Sequence, residues 1–248
     1  MRVERDSLGE VHVPDDALWG AQTQRAVQNF PISGLKQHAE YIIVSALVKQ
    51  AAAEVNMALG QLVQRRGQAI VEAARQIVEG RWHEQFVVDP FQAGAGTSHN
   101  MNTNEVIANL ANEALGGARG VYDPVHPNDH VNMSQSTNDV IPTVIRVAAS
   151  RQVNRLLPVL DDLVSALEAK AAEFDLVLKS GRTHLQDAVP VRLGHEFGGY
   201  AQAVRKDRER IARAAVSMRQ LGIGGTATGT GLNSHPDYHA AMVAKLSE

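Results

Sequence analysis

From His38 onward the chain is patterned for helices. In "AEYIIVSALVKQAAAEVNMALGQL" the apolar positions Ile42, Ile43, Ala46, Leu47, Val55, Ala58 and Leu59 recur at three and four, the spacing of one buried helical stripe. A second helix is predicted over "GQAIVEAARQIVEG", ended by Gly80. The segment "VVDPFQAGAGTSHNMNTNEVIANLANEAL" passes from a glycine-rich loop into a third. Two long helices follow. One starts near Asp139 and runs through "VIPTVIRVAASRQVNRLLPVLDDLVSALEAKAAEF", with Pro142 in its opening turn and Pro158 inside, where a kink is expected. The other begins near Pro190 and carries Leu193, Phe197, Tyr200, Val204, Ile211, Ala215 and Met218 down one side, which suits packing in a bundle. Residues 1 to 35 hold Pro14, Gly20, Pro31 and Gly34 without sustained periodicity and read as an irregular arm with short turns. No alternating apolar run is long enough to suggest a sheet. The expected architecture is all-α, with an arm and small helical domain over residues 1–135 and the long helices of a central bundle over residues 136–248.

Polar residues gather between these helices in three clusters. The first, "GAGTSHNMNTNEV", sets Gly94 and Gly96 beside the short donors Thr97, Ser98 and Asn100 just before a helix, whose N-terminus favours anions. A glycine-rich cap before any helix would look the same, and no Walker lysine follows. The second is "VHPNDHVNMSQSTNDVIPT". Here Ser136, Thr137 and Asn138 can aim hydroxyl, amide and backbone N–H groups at one point, while His126, Asn128 and Asp129 form a separate knot upstream. Capping needs one such residue, and this stretch holds a surplus. Pro127 interrupts the His126/His130 pair, which argues against a helical metal site. The third, "SGRTHLQDAVP", offers Arg182, Thr183, His184 and Asp187 in a loop closed by proline. Its histidine can donate to a carboxylate or relay protons if something orients it.

Composition narrows the classes. A chain of 248 residues with 44% apolar residues can fill a real core. A net charge of −3 without a basic stripe argues against nucleic acid as a partner. With no cysteine, thiolate chemistry and Cys-ligated metals are excluded. The N-terminus "MRVERDSLGE" is charged from its second residue, and no apolar run approaches the roughly 18 to 20 residues a membrane span needs, so a cytoplasmic protein without membrane contact is expected.

In order along the chain, "DSLGEVHVPDDALWGAQTQRAVQNFPISG", "GAGTSHNMNTNEV", "HPNDHVNMSQSTND", "GRTHLQDAVP" and "GGTATGTGLNSHPDYH" resemble the fumarase/aspartase superfamily of lyases over nearly the whole length. That resemblance implies a helical homotetramer with active sites shared between subunits and a small dicarboxylate as substrate. Thr97, Ser136, Thr137, Asn138, Thr183 and His184 would bind it, with Thr183 and His184 in catalytic roles, and His126, Asn128 and Asp129 would form a secondary anion site. The implied chemistry is anti elimination to fumarate, with no metal or organic cofactor. The family's serine-bearing mobile loop would lie beyond Glu248, so this chain alone is expected to lack the base, and a non-catalytic or structural relative stays open. "LGHEF" places His195 where the family pattern has Gln. "GAGTS" and "SQSTND" resemble enzymes that release ammonia from L-aspartate, whereas "ALWGAQTQRAVQNFPIS" and "GGTATGTGLN" resemble those that release water from L-malate. Weighting the residues nearest the site favours ammonia.

Overall fold

The structure, a computed structural model, describes residues 1–248. It is mostly helical, with only two small antiparallel hairpins, in the order β1 (Arg2–Asp6), β2 (Gly9–Val13), α1 (Ala21–Asn29), α2 (Ala39–Ala58), α3 (Gln64–Val78), α4 (Thr97–Ala114), α5 (Thr137–Glu173), β3 (Leu178–Thr183), β4 (Gln186–Arg192), α6 (Leu193–Val216) and α7 (Tyr238–Leu246). A single π-helical turn spans Pro127–Val131. No helix is long and apolar enough to cross a membrane. The chain divides into two units, one of residues 1–148 with 221–248 and one of residues 149–220.

In the first unit α2 is buried on two faces. Ile42, Ala46 and Ala53 join Ile70, Ile77, Phe86 and Ile107 in one core, while Val44, Val48 and Ala52 join Val140, Val144, Ile223 and Met242 in another. Its apolar positions therefore exceed one stripe, since it packs on both α3 and α7. Helix α4 is buried along nearly its whole length although it is rich in asparagine. Three of its buried amides have backbone tasks. Asn102 accepts from Val87 N and donates to Gln85 O, Asn109 joins Leu18 O to Gly120 N, and Asn112 holds both backbone groups of Val125. Glu105, also on α4, accepts from the N–H groups of Gly20, Gln22 and Thr23 and so caps α1 from a distant part of the chain.

The arm corrects the sequence expectation. Residues 2–13 form a hairpin with Arg2 opposite Val13 and Asp6 opposite Gly9. The inward residue of β1 is Glu4, buried and bonded to Arg2 Nε (2.7 Å) and Ala21 N (2.9 Å), so a charge occupies a site where alternation would need an apolar side chain. The first strand is thus invisible to a hydrophobic pattern, while β2 alternates over only Val11 and Val13.

In the second unit the remainder of α5 runs antiparallel to α6. Arg208 pairs with Asp161 at 3.0 Å, Arg205 with Glu168, and Phe174 stacks on Phe197 at 5.4 Å. A Cβ on Gly194 would lie 2.3 Å from Ala171 O, so only glycine admits that approach. Helix α5 is continuous through Pro158. Leu156, Val159, Leu163, Tyr200 and Val216 are exposed, so two helices bury only part of the apolar stripe that the sequence supplies. The stretch read as a proline-closed loop is instead the β3–β4 hairpin, with strands exposed on both faces and hence no alternation to read.

Candidate active site

The starts of α4 and α5 lie side by side. Gly96, the N-cap of α4, has φ +81°, and a Cβ there would stand 3.0 Å from the side chain of Ile141 at the beginning of the second turn of α5. One turn into α4, Asn100 donates from Nδ2 to Thr137 Oγ1 at 3.3 Å. Both helix N-termini and their polar loops therefore share one region of the first unit, which favours negative charge.

Capping uses only part of the polar surplus at α5. Asn138 N donates to Ser136 Oγ (3.3 Å), and Ser136 N donates to Asp139 Oδ1 (2.9 Å), a reciprocal capping box with aspartate in the acidic position. The other oxygen of Asp139 accepts from Gly224 N (3.0 Å) and Thr226 N (2.9 Å), and Asn138 Nδ2 donates to Ala227 O at 2.8 Å. The glycine-rich loop after residue 221 is thereby fastened to the start of α5. Thr137 is left outside the cap, half-buried, and Thr97 is exposed at the first position of α4. Of the sequence-predicted residues the first unit brings together Thr137, Ser136 and Asn138 at one helix start, with Thr97 at its neighbour.

Behind this region stands a residue that sequence reasoning missed. Lys49, on α2, is 1% exposed, and its Nζ donates to Asn100 Oδ1 (2.7 Å), Asn132 Oδ1 (2.9 Å) and Gln135 Oε1 (3.0 Å). Three acceptors match the three protons of an ammonium. Burial pushes its pKa down to about 7, while the nearby Asp139 pulls the other way. Burial likewise raises the Asp139 carboxyl, against its backbone hydrogen bonds and the Lys49 charge. The available signal was a lone lysine in the apolar run "IIVSALVKQAAAEV".

His126, Asn128 and Asp129 sit on the π-helical turn. His126 Nδ1 accepts from Asp129 N at 3.3 Å and faces its carboxylate at 3.3 Å. His126 and Asn128 line a cavity of about 500 Å³ together with Arg5, Arg25 and Ser98, whereas Asp129 is not among its lining residues. His130 accepts the His126 N–H on Nδ1 at 2.8 Å, and burial, then Arg66, lowers its pKa. No three His, Asp or Glu groups converge as a metal site.

Thr183 and His184 belong to the second unit. They stand exposed at the β3–β4 turn, where Thr183 pairs with Gln186 and the two connecting residues, His184 and Leu185, have φ of 50° and 63°. Left-handed φ at two successive non-glycine residues is costly, and hairpins usually place Asn-Gly there. Arg182 and Asp187 brace the turn with an ion pair at 3.2 Å. His195 is exposed in the first turn of α6.

The chain belongs to the lyase family, matching it over residues 9–248. It is 51% identical over its full length to aspartate ammonia-lyase of Bacillus subtilis (strain 168) and 53% identical to class II fumarate hydratase of Halobacterium salinarum, covering 52% and 53% of those proteins. Among solved structures, fumarate lyase:delta crystallin from Brucella melitensis bound to cobalt superposes with a TM-score of 0.94 at 49% identity, over 99% of this chain and 54% of that one. The chain spans about half the length of the relatives it matches.

Proposed function

We propose that the protein containing this chain catalyses reversible anti elimination to fumarate, with ammonia leaving L-aspartate. The observation that carries the reading is the pairing of two helix N-termini across Asn100 and Thr137, backed by Lys49. Abstraction of a proton beside a carboxylate turns that group into a doubly charged aci-carboxylate. A site for this reaction needs donors already oriented toward the new charge, because reorienting them during the reaction would cost energy. The Thr97, Ser136 and Thr137 hydroxyls and the Asn138 amide would be such donors, the Ser136 hydroxyl because it only accepts within the cap. Thr183 and His184 would be added by the strained hairpin, His184 donating to the second carboxylate or relaying protons. The scheme asks for no metal or organic cofactor. Exposed apolar residues on α5 and α6 support assembly of the long-helix region, residues 136–248 in our division, into a homotetrameric bundle with shared sites. His126 and Asn128, at the wall of the 500 Å³ cavity, would serve a secondary anion site with Asp129.

A second reading, loss of water from L-malate, is favoured by one observation. The "GGTATGTGLN" loop, which resembles malate-acting relatives, contributes Thr226 and Ala227 directly to the start of α5 and is not distal. Following fumarate absorbance from L-aspartate and from L-malate with the intact protein separates the two. Turnover of malate without aspartate overturns the choice of ammonia, and turnover of neither makes the protein a non-catalytic relative.

A further inference from the structure

Amide side chains are nearly symmetric in shape, and the neighbours decide which end points where. Around Lys49 the decision is complete. In its ammonium form Lys49 has donors only, so the atoms of Asn100, Asn132 and Gln135 that face it must be oxygens. Asn132 Oδ1 then also accepts from Asn100 Nδ2 at 3.1 Å, and Gln135 Nε2 is turned to the carbonyls of Val131 (3.0 Å) and Met133 (3.1 Å). With Asn100 Oδ1 held by the lysine, its Nδ2 is what meets Thr137 Oγ1. A hydroxyl that accepts from Asn100 has its own hydrogen free to point elsewhere.

Resting on the elimination reading above, we propose that Lys49 is a positioning residue: through Asn100 it obliges the Thr137 hydroxyl to donate outward, to the substrate carboxylate. Without the ammonium the Asn100 amide is free to turn over, present its oxygen to Thr137 and draw that hydroxyl hydrogen inward. Thr137 is then still present but no longer supplies a donor. A lysine that merely braced the 132–135 loop would leave the contribution of Thr137 intact.

The test is a double-substitution cycle in the intact protein, reading kcat for fumarate release. Lys49→Met and Thr137→Val are each expected to lower kcat about 100-fold, the usual cost of one oriented donor, and the double variant to lower it about 100-fold again in total, not multiplicatively. A double variant slowed by the product of the two losses, about 10,000-fold, overturns the proposal. If circular dichroism and sedimentation show Lys49→Met misfolded, Asn100→Leu takes its place in the cycle with the same expectation. Neutron diffraction of the unaltered protein is independent of turnover. A Thr137 deuterium directed away from Asn100 supports the assignment and one directed at it overturns it. Should the unaltered protein release fumarate from neither substrate, the functional reading falls and the deuterium position alone decides the role of Lys49.

Discussion

Replacing Thr137 by valine removes a hydroxyl while keeping the shape of the side chain, and the structure lets its two consequences be separated. On the reaction side, one donor aimed at developing negative charge is lost, worth about 3 to 4 kcal/mol of barrier, or at least 100-fold in kcat. On the folding side little changes. Asn100 Nδ2 keeps its bond to Asn132 Oδ1 at 3.1 Å, and the helix cap is made by Ser136 and Asp139, not by Thr137. The folding cost should therefore be about 1 kcal/mol or less, the net value of one hydrogen bond. Initial rates of fumarate formation across substrate concentration, paired with urea denaturation of the same preparation, measure both. The expected result is a fall in kcat with the unfolding midpoint almost unmoved. A variant with kcat within twofold of the parent removes Thr137 from the site, and a kcat loss matched by an equal loss of stability refutes the division of labour between cap and donor.

Glu105→Leu strands the buried N–H groups of Gly20 and Thr23, at about 1 to 3 kcal/mol each, so urea denaturation should show a loss of about 2 kcal/mol or more. A loss under about 0.5 kcal/mol would mean that α1 is capped by other means. Asp89 is governed by burial, which raises its pKa, and by stronger opposing hydrogen bonds from Phe91 N, Ser33 N, Ser33 Oγ and Gly34 N, which hold it at about 2 against an ordinary 3.8. Because the folded state prefers the ionised form, its stabilisation is complete above about pH 4 and drains as pH falls toward about 2. Acid titration of the unfolding midpoint should therefore be shallower in Asp89→Asn than in the parent over that window, and equal slopes would contradict the assignment.

Helices α3, α5 and α6 were readable along the chain because an apolar stripe repeats every three or four residues; α2 carries that repeat on two faces, and α1 lies in the arm read as irregular. The family motifs were readable for a similar reason: "GAGTSHNMNTNEV" and "SQSTND" each sit in a single loop and helix start, so their chemistry is local. The second-unit hairpin was not, since β3 and β4 are exposed on both faces and their turn uses His184 and Leu185 where turn-forming residues are usual. The first strand was hidden by Glu4, whose burial depends on Arg2 and on the start of α1.

Residue order along one strand or helix thus settles periodicity, caps and candidate donors, all of which act within a few positions. The role of Lys49 depends on Asn100, 51 residues away, and on Asn132 and Gln135, 83 and 86 away. The glycine-rich loop that seemed remote reaches Asp139 and Asn138 across more than 80 residues. Such partners are chosen by how helices pack, because a buried charge or amide must find its complement wherever the fold brings one within hydrogen-bond reach.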